Sequence, residues 1–94
     1  MKALSLSEVQ TKLETLKGWT LENHKLHREF KFKDFIAAFK FMTEIATAAE
    51  EMNHHPEWLN VYNRVTVDLT THDAKGITEK DFKLAQKMNA HFKE

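Results

Sequence analysis

Residues 50–58 read Glu50-Glu51-Met52-Asn53-His54-His55-Pro56-Glu57-Trp58, and the hydrophobic period changes across them. Upstream, Phe35, Ala38, Phe39, Met42, Ile45, Ala46, Ala49 and Met52 recur at the three-and-four spacing of an amphipathic helix. Downstream, Trp58, Asn60 and Tyr62 alternate with Leu59 and Val61, and Val65, Val67 and Leu69 alternate with Thr66, Asp68 and Thr70, the period of strands. Pro56, the only proline, divides the two regimes, because its ring drives His55 out of the α region and the helix must stop before it. Two adjacent imidazoles therefore stand at a helix exit. A histidine near the unpartnered carbonyls of such an exit can hold or give a proton near neutral pH.

Outward from this stretch, Asp34 is placed to cap the long helix, which runs to about Asn53. Residues 19–21 and 25–32 read as two strands joined by Glu22, Asn23 and His24, with Leu26, Phe30 and Phe32 on one face interrupted by Arg28. Phe30, Phe32, Phe35 and Phe39 are expected in the core. Ser7, followed by Glu8, Val9, Leu13 and Leu16, predicts a capped first helix that Gly18 stops. On the C-terminal side, Asn63 and Arg64 mark a turn that pairs Tyr62 with Val65. One face then carries Trp58, Asn60, Tyr62, Val65, Val67 and Leu69; the other carries Leu59, Val61, Thr66, Asp68, Thr70 and, at the strand end, His72. Thr78 and Asp81 form a capping box for a last helix bearing Phe82, Leu84, Ala85, Met88 and Phe92.

The order is α-β-β-α-β-β-α. It predicts an α+β, two-layer fold: a four-stranded antiparallel sheet with helices packed on one face. With 94 residues the chain is expected to be a single domain, 1–94. Such a sheet has two open edges, and pairing them between copies is a common remedy, so a homodimer or homotetramer is expected.

Lys and Arg number 14, as do Asp and Glu, so no basic field is available to hold a nucleic-acid backbone, and no direct nucleic-acid partner is expected. No cysteine is present, which excludes disulfides, thiolate nucleophiles and cysteine-ligated metal sites. No apolar run approaches the ~20 residues of a membrane span and the first residues hold no long apolar segment, so no membrane partner and a cytoplasmic location are expected.

Glu50, His54-His55-Pro56, Trp58, the run Asn60-Val61-Tyr62-Asn63, Thr71-His72 and Gly76-Ile77-Thr78-Glu79-Lys80-Asp81 together resemble the pterin-4a-carbinolamine dehydratase family. The resemblance spans the central third of the chain, and the element order fits the whole. It implies dehydration of 4a-hydroxytetrahydrobiopterin, the product left by aromatic amino-acid hydroxylases, to quinonoid dihydrobiopterin. Carried over, His54, His55 and His72 match the family's active-site histidines and Glu50 and Asp81 its acidic partners. His54, His55 and Pro56, with Thr71, His72, Asp73 and Ala74, match the stretches that contact pterin, and Trp58 is placed with them. The resemblance also brings a second role, dimerisation cofactor of a homeodomain transcription factor, which these motifs do not transfer.

The chemistry suits the residues. Loss of hydroxide from C4a needs a proton on the leaving oxygen and departure of the N5 hydrogen, so a donor and an acceptor near neutral pKa are required. Glu50 is placed to favour the charged form of one histidine and Asp81 to orient another. No cofactor, nucleotide, metal or covalent nucleophile is required. Adjacent histidines on an extended segment point to opposite sides, which argues against a three-imidazole zinc site. Two other classes stay open: a non-catalytic oligomerising protein or transcriptional coactivator, and a metal-binding module. The blander reading of the remaining histidines, His24, His27 and His91, is that they are surface residues.

Overall fold

The computed structural model describes residues 2–92. The elements are α1 (Leu6–Leu13), β1 (Thr20–Glu22), β2 (Lys25–Lys31), α2 (Phe35–Met52), β3 (Glu57–Val61), β4 (Arg64–Leu69), a 3-10 turn (His72–Ala74) and α3 (Glu79–His91). The sheet is fully antiparallel with order β1-β2-β4-β3, so β2 and β4 are central and β1 and β3 are edges. The expected fold class and element order are therefore observed.

Local chemistry sets each boundary. Ser5, not Ser7, caps α1: its hydroxyl accepts from the Glu8 N–H at 3.1 Å while Glu8 accepts from the Ser5 N–H at 2.8 Å, a reciprocal box. The β1–β2 turn is two residues rather than three, Asn23 and His24, both at positive φ (52° and 63°), the conformation that matches the twist of a tight hairpin. Asp34 accepts from the Ala37 N–H at 2.8 Å and opens α2 as expected. The second hairpin turns at Tyr62 and Asn63, not Asn63 and Arg64, so Val61 pairs with Arg64 and Asn60 with Val65. Tyr62 takes φ of 52°, and the Asn60 amide latches the turn by donating to the Tyr62 and Arg64 carbonyls. This displaces the register by an even step, so Trp58 and Asn60 keep the face of Val65 and Val67, whereas Tyr62 leaves it for solvent.

One apolar cluster lies between sheet and helices, with Leu26, Phe30, Val65, Val67 and Leu69 from the sheet, Ala38, Phe41, Ile45 and Ala49 from α2, and Phe82, Leu84, Ala85 and Met88 from α3. The buried stripe of α2 sits one step round the wheel from the expected one. Phe41 and Ala48 are inside, while Phe35 and Phe39, expected in the core, are 44% and 54% exposed. Arg28 interrupts the core face of β2 as anticipated and is accommodated: its guanidinium lies 4.3 Å from the Phe30 ring centre and donates to the Lys17 carbonyl and the Asn89 side chain. Gly18 has φ of 87°, a conformation that favours glycine, and a Cβ there would stand 2.6 Å from that guanidinium and have to push it aside.

Candidate active site

The helix exit is built by Asn53. It adopts the left-handed conformation (φ 51°, ψ 44°), its N–H bonds to the Glu50 carbonyl, and the His54 N–H bonds to the Ala49 carbonyl at 3.0 Å. These bonds form a Schellman motif, so α2 is ended by Asn53 three residues before the proline that was expected to stop it. Pro56 instead leads the chain into β3. The consequence is a sharp redirection that turns His54 inward, 8% exposed, and leaves His55 outward.

His54 meets Asp81 of α3, with Nε2 2.5 Å from Oδ1. Asp81 is fully buried, and its second oxygen accepts from the Thr71 hydroxyl at 2.8 Å and the Thr78 N–H at 2.9 Å. Because Thr71 donates to Asp81, its oxygen receives the Thr78 hydroxyl at 2.8 Å. Every member of this network is partnered, as a polar cluster in a core must be. The capping box read from the sequence is thus also the support of a histidine. A carboxylate can only accept, so the hydrogen of the neutral His54 ring sits on Nε2 and the lone pair on Nδ1. Nδ1 has no protein partner, and among the described residues no buried side-chain nitrogen or oxygen lacks one, so Nδ1 keeps contact with solvent.

His55 and His72 each face a different acid. His55 Nε2 lies 2.8 Å from Glu50 Oε1, with both side chains mostly exposed. His72 opens the 3-10 turn beyond β4 rather than ending a strand, its side chain is 82% exposed, and its Nε2 lies 3.2 Å from Glu57 Oε2. The other oxygen of Glu57 receives the Lys25 ammonium at 2.6 Å. That hydrogen bond, with a smaller contribution from His72, holds the Glu57 carboxyl below the usual carboxylate range.

These links join the histidines. His72 follows Thr71, which reaches His54 through Asp81, and His72 also touches Glu57, three residues beyond His54 in the chain. Thr71 and Gly76 close the intervening turn by mutual backbone bonds of 2.9 and 3.3 Å, placing Asp73 exposed and Ala74 half-buried on its rim. Trp58 lies on the opposite, core side of β3, packed against the apolar cluster, and Pro56 is half-buried at the strand's entry. Among the described residues no group of three or more histidines and acids is gathered as for a metal ion. A groove of about 710 Å3 lies elsewhere, lined by Phe32, Ala37, Phe41 and Ala90 and rimmed by lysines.

The residue that the sequence reading omitted is Glu57. Strand parity carries the signal, since Glu57 shares the outer face with Leu59 and Val61, the face on which His72 was already expected.

Three imidazoles, each against its own carboxylate, one of these acids buried, are equipped for proton transfer. A model of the pterin 4 alpha carbinolamine dehydratase family matches residues 2–91. The chain belongs to that family. Among relatives provisionally named pterin-4-alpha-carbinolamine dehydratase, one from Solibacter usitatus is 66% identical over 87 residues, covering 93% of this chain and 92% of its own length. Another, from Prochlorococcus marinus, is 49% identical over 86 residues, covering 92% of this chain and 90% of its own. A crystal structure described as a transcriptional coactivator/pterin dehydratase from Brucella melitensis superposes with a TM-score of 0.95 at 48% identity, over 98% of this chain and all of that one. For this pterin-4-alpha-carbinolamine dehydratase family member no helix among the described residues is long and apolar enough to cross a membrane.

Proposed function

We propose that residues 1–94 act as one domain that dehydrates 4a-hydroxytetrahydrobiopterin to quinonoid dihydrobiopterin, in recycling of the tetrahydropterin. The observation that carries this reading is the open Nδ1 of a histidine locked by a buried acid, His54 on Asp81, with the exposed His72 next in the chain to Thr71, another partner of that acid. In a family of pterin dehydratases these two histidines supply a base and an acid. The step balances simply: the C4a–O bond breaks as the leaving hydroxyl takes a proton and departs as water, and N5 gives up its hydrogen as the N5=C4a double bond forms. His54 Nδ1 receives the N5 proton, with Asp81 stabilising the imidazolium that results, and His72 delivers the proton to oxygen. His55, held by Glu50, positions the pterin, and Pro56, Thr71, Asp73 and Ala74 shape its surroundings, while Trp58 supports β3 from the core side. The elimination calls for no cofactor and no metal.

A homodimer or homotetramer is part of the proposal. Phe35, Phe39 and the 73%-exposed Ile36 form an apolar face on α2, and edge strand β3 presents Leu59 and Val61. The same face favours the second reading, a non-catalytic oligomerising partner or coactivator, for which the Brucella melitensis structure's description gives the motive. Direct binding to nucleic acid is not proposed, because the chain has no net charge. The purified chain, without added metal, is expected to speed the disappearance of 4a-hydroxytetrahydropterin over buffer. An inactive oligomer would favour the second reading.

A further inference from the structure

We propose that Glu57 and Lys25 are positioning residues for His72, a charged bracket on the outer face of the sheet that fixes which ring nitrogen His72 offers to substrate. The inference rests on the dehydratase reading, and its test is chosen so that the two can fail separately.

Register creates the bracket. Glu57 on β3 stands directly opposite Asp68 on β4, and Asp68 opposite His27 on β2. Two carboxylates facing each other across a strand pair repel, so each needs its own hydrogen-bond donor. Asp68 takes His27, whose Nδ1 lies 2.8 Å away, while the other nitrogen of that ring lies 3.9 Å from Glu22 on β1. Glu57 takes Lys25, from the start of β2, at 2.6 Å. Each carboxylate is thus engaged on one oxygen, and Glu57 keeps its second oxygen for His72 at 3.2 Å. The hydrogen bond to Glu57 in turn raises the Lys25 ammonium above its ordinary range, so this pair stays charged across the neutral region. Asp73 and Lys75, on the turn that carries His72, are the remaining charged groups nearby in the chain; both are exposed.

An exposed ion pair contributes little to stability, and the bracket's effect is expected elsewhere. His72 is mostly exposed and sits in a short 3-10 turn, so its backbone does not choose a ring orientation. A carboxylate held from behind by an ammonium does: it receives the Nε2 hydrogen, so the proton that His72 delivers to the leaving oxygen is the one its Nδ1 carries in the imidazolium.

The test compares Glu57→Gln, Lys25→Met and Lys25→Arg with the wild-type chain, reading kcat, KM, melting temperature and the nitrogen chemical shifts of His72. Glu57→Gln is expected to lower kcat about tenfold with KM nearly unchanged and melting unaltered, and to move the His72 shifts toward a mixed tautomer. Lys25→Met is expected to lower kcat about threefold, and Lys25→Arg to restore it, since the guanidinium also donates to the carboxylate. Wild-type kcat in Glu57→Gln together with unmoved His72 shifts would overturn the proposal. If the wild-type chain turned over no pterin, the dehydratase reading would fall, while the His72 shifts would still decide whether Glu57 orients the ring.

Discussion

The two ends of the proposed proton-transfer site are built in opposite ways. His54 is held inside the protein by Asp81, which also caps α3 and is itself held by Thr71 and Thr78, so that assembly is tied to a helix start. His72 stands outside on a 3-10 turn and is held by Glu57 and Lys25, side chains that water reaches. The difference teaches where each property resides. Under the proposed function the inner end would couple catalysis to stability, whereas the outer end would leave catalysis adjustable at little cost to the fold.

Breaking the inner end should have the largest effect. Asp81→Ala removes a buried acid and orphans His54, Thr71 and the Thr78 N–H, and is expected to cost about 3–5 kcal/mol by the usual penalty for a broken buried pair. Chemical denaturation measures it, and activity should be lost in step. Breaking the outer end should separate the two properties: His72→Ala is expected to lower kcat about a hundredfold, the range of one general acid, with stability within about 0.5 kcal/mol of wild type. Equal losses of stability in these two variants would erase the contrast.

Two smaller tests sharpen it. Asn53 turns the chain toward His54 in a left-handed conformation, so Asn53→Ala is expected to lower stability by about 1 kcal/mol while Asn53→Gly costs almost nothing, read by thermal melting. Finally, Lys25 depresses the Glu57 carboxyl. A depressed acid stabilises the fold fully above its ordinary carboxylate range and loses that contribution as pH falls through its folded-state value. Stability measured from neutral pH down to about 3, the region where carboxylates titrate, should therefore decline slightly less in Lys25→Met than in wild type, because exposure screens the pair.

Much of this contrast was legible before folding. Thr78 with Asp81 announced a capped helix start, the adjacent histidines announced opposite orientations, and alternation after Pro56 assigned both faces of the sheet except at Tyr62, which the turn takes. Three things were not. Sequence period defines an apolar arc on α2 wider than one sheet can cover, so it could not say that Phe41 lies inside and Phe35 and Phe39 outside. A left-handed backbone at Asn53 and Tyr62 depends on bonds made by neighbouring segments, and residue type alone gives a weak sign of it. Glu57 was hidden for a related reason: its partners Lys25 and His72 are far away in the chain and are brought together only by strand register.

The most direct test follows the loss of 4a-hydroxytetrahydropterin in a stopped-flow instrument, comparing buffer, the purified chain and its His54→Ala/His72→Ala variant. The account predicts marked acceleration by the wild-type chain and a rate at least a hundredfold lower in the double variant, the size of a lost acid–base pair, once melting has verified that it is folded. A folded double variant that works as fast as wild type would contradict it.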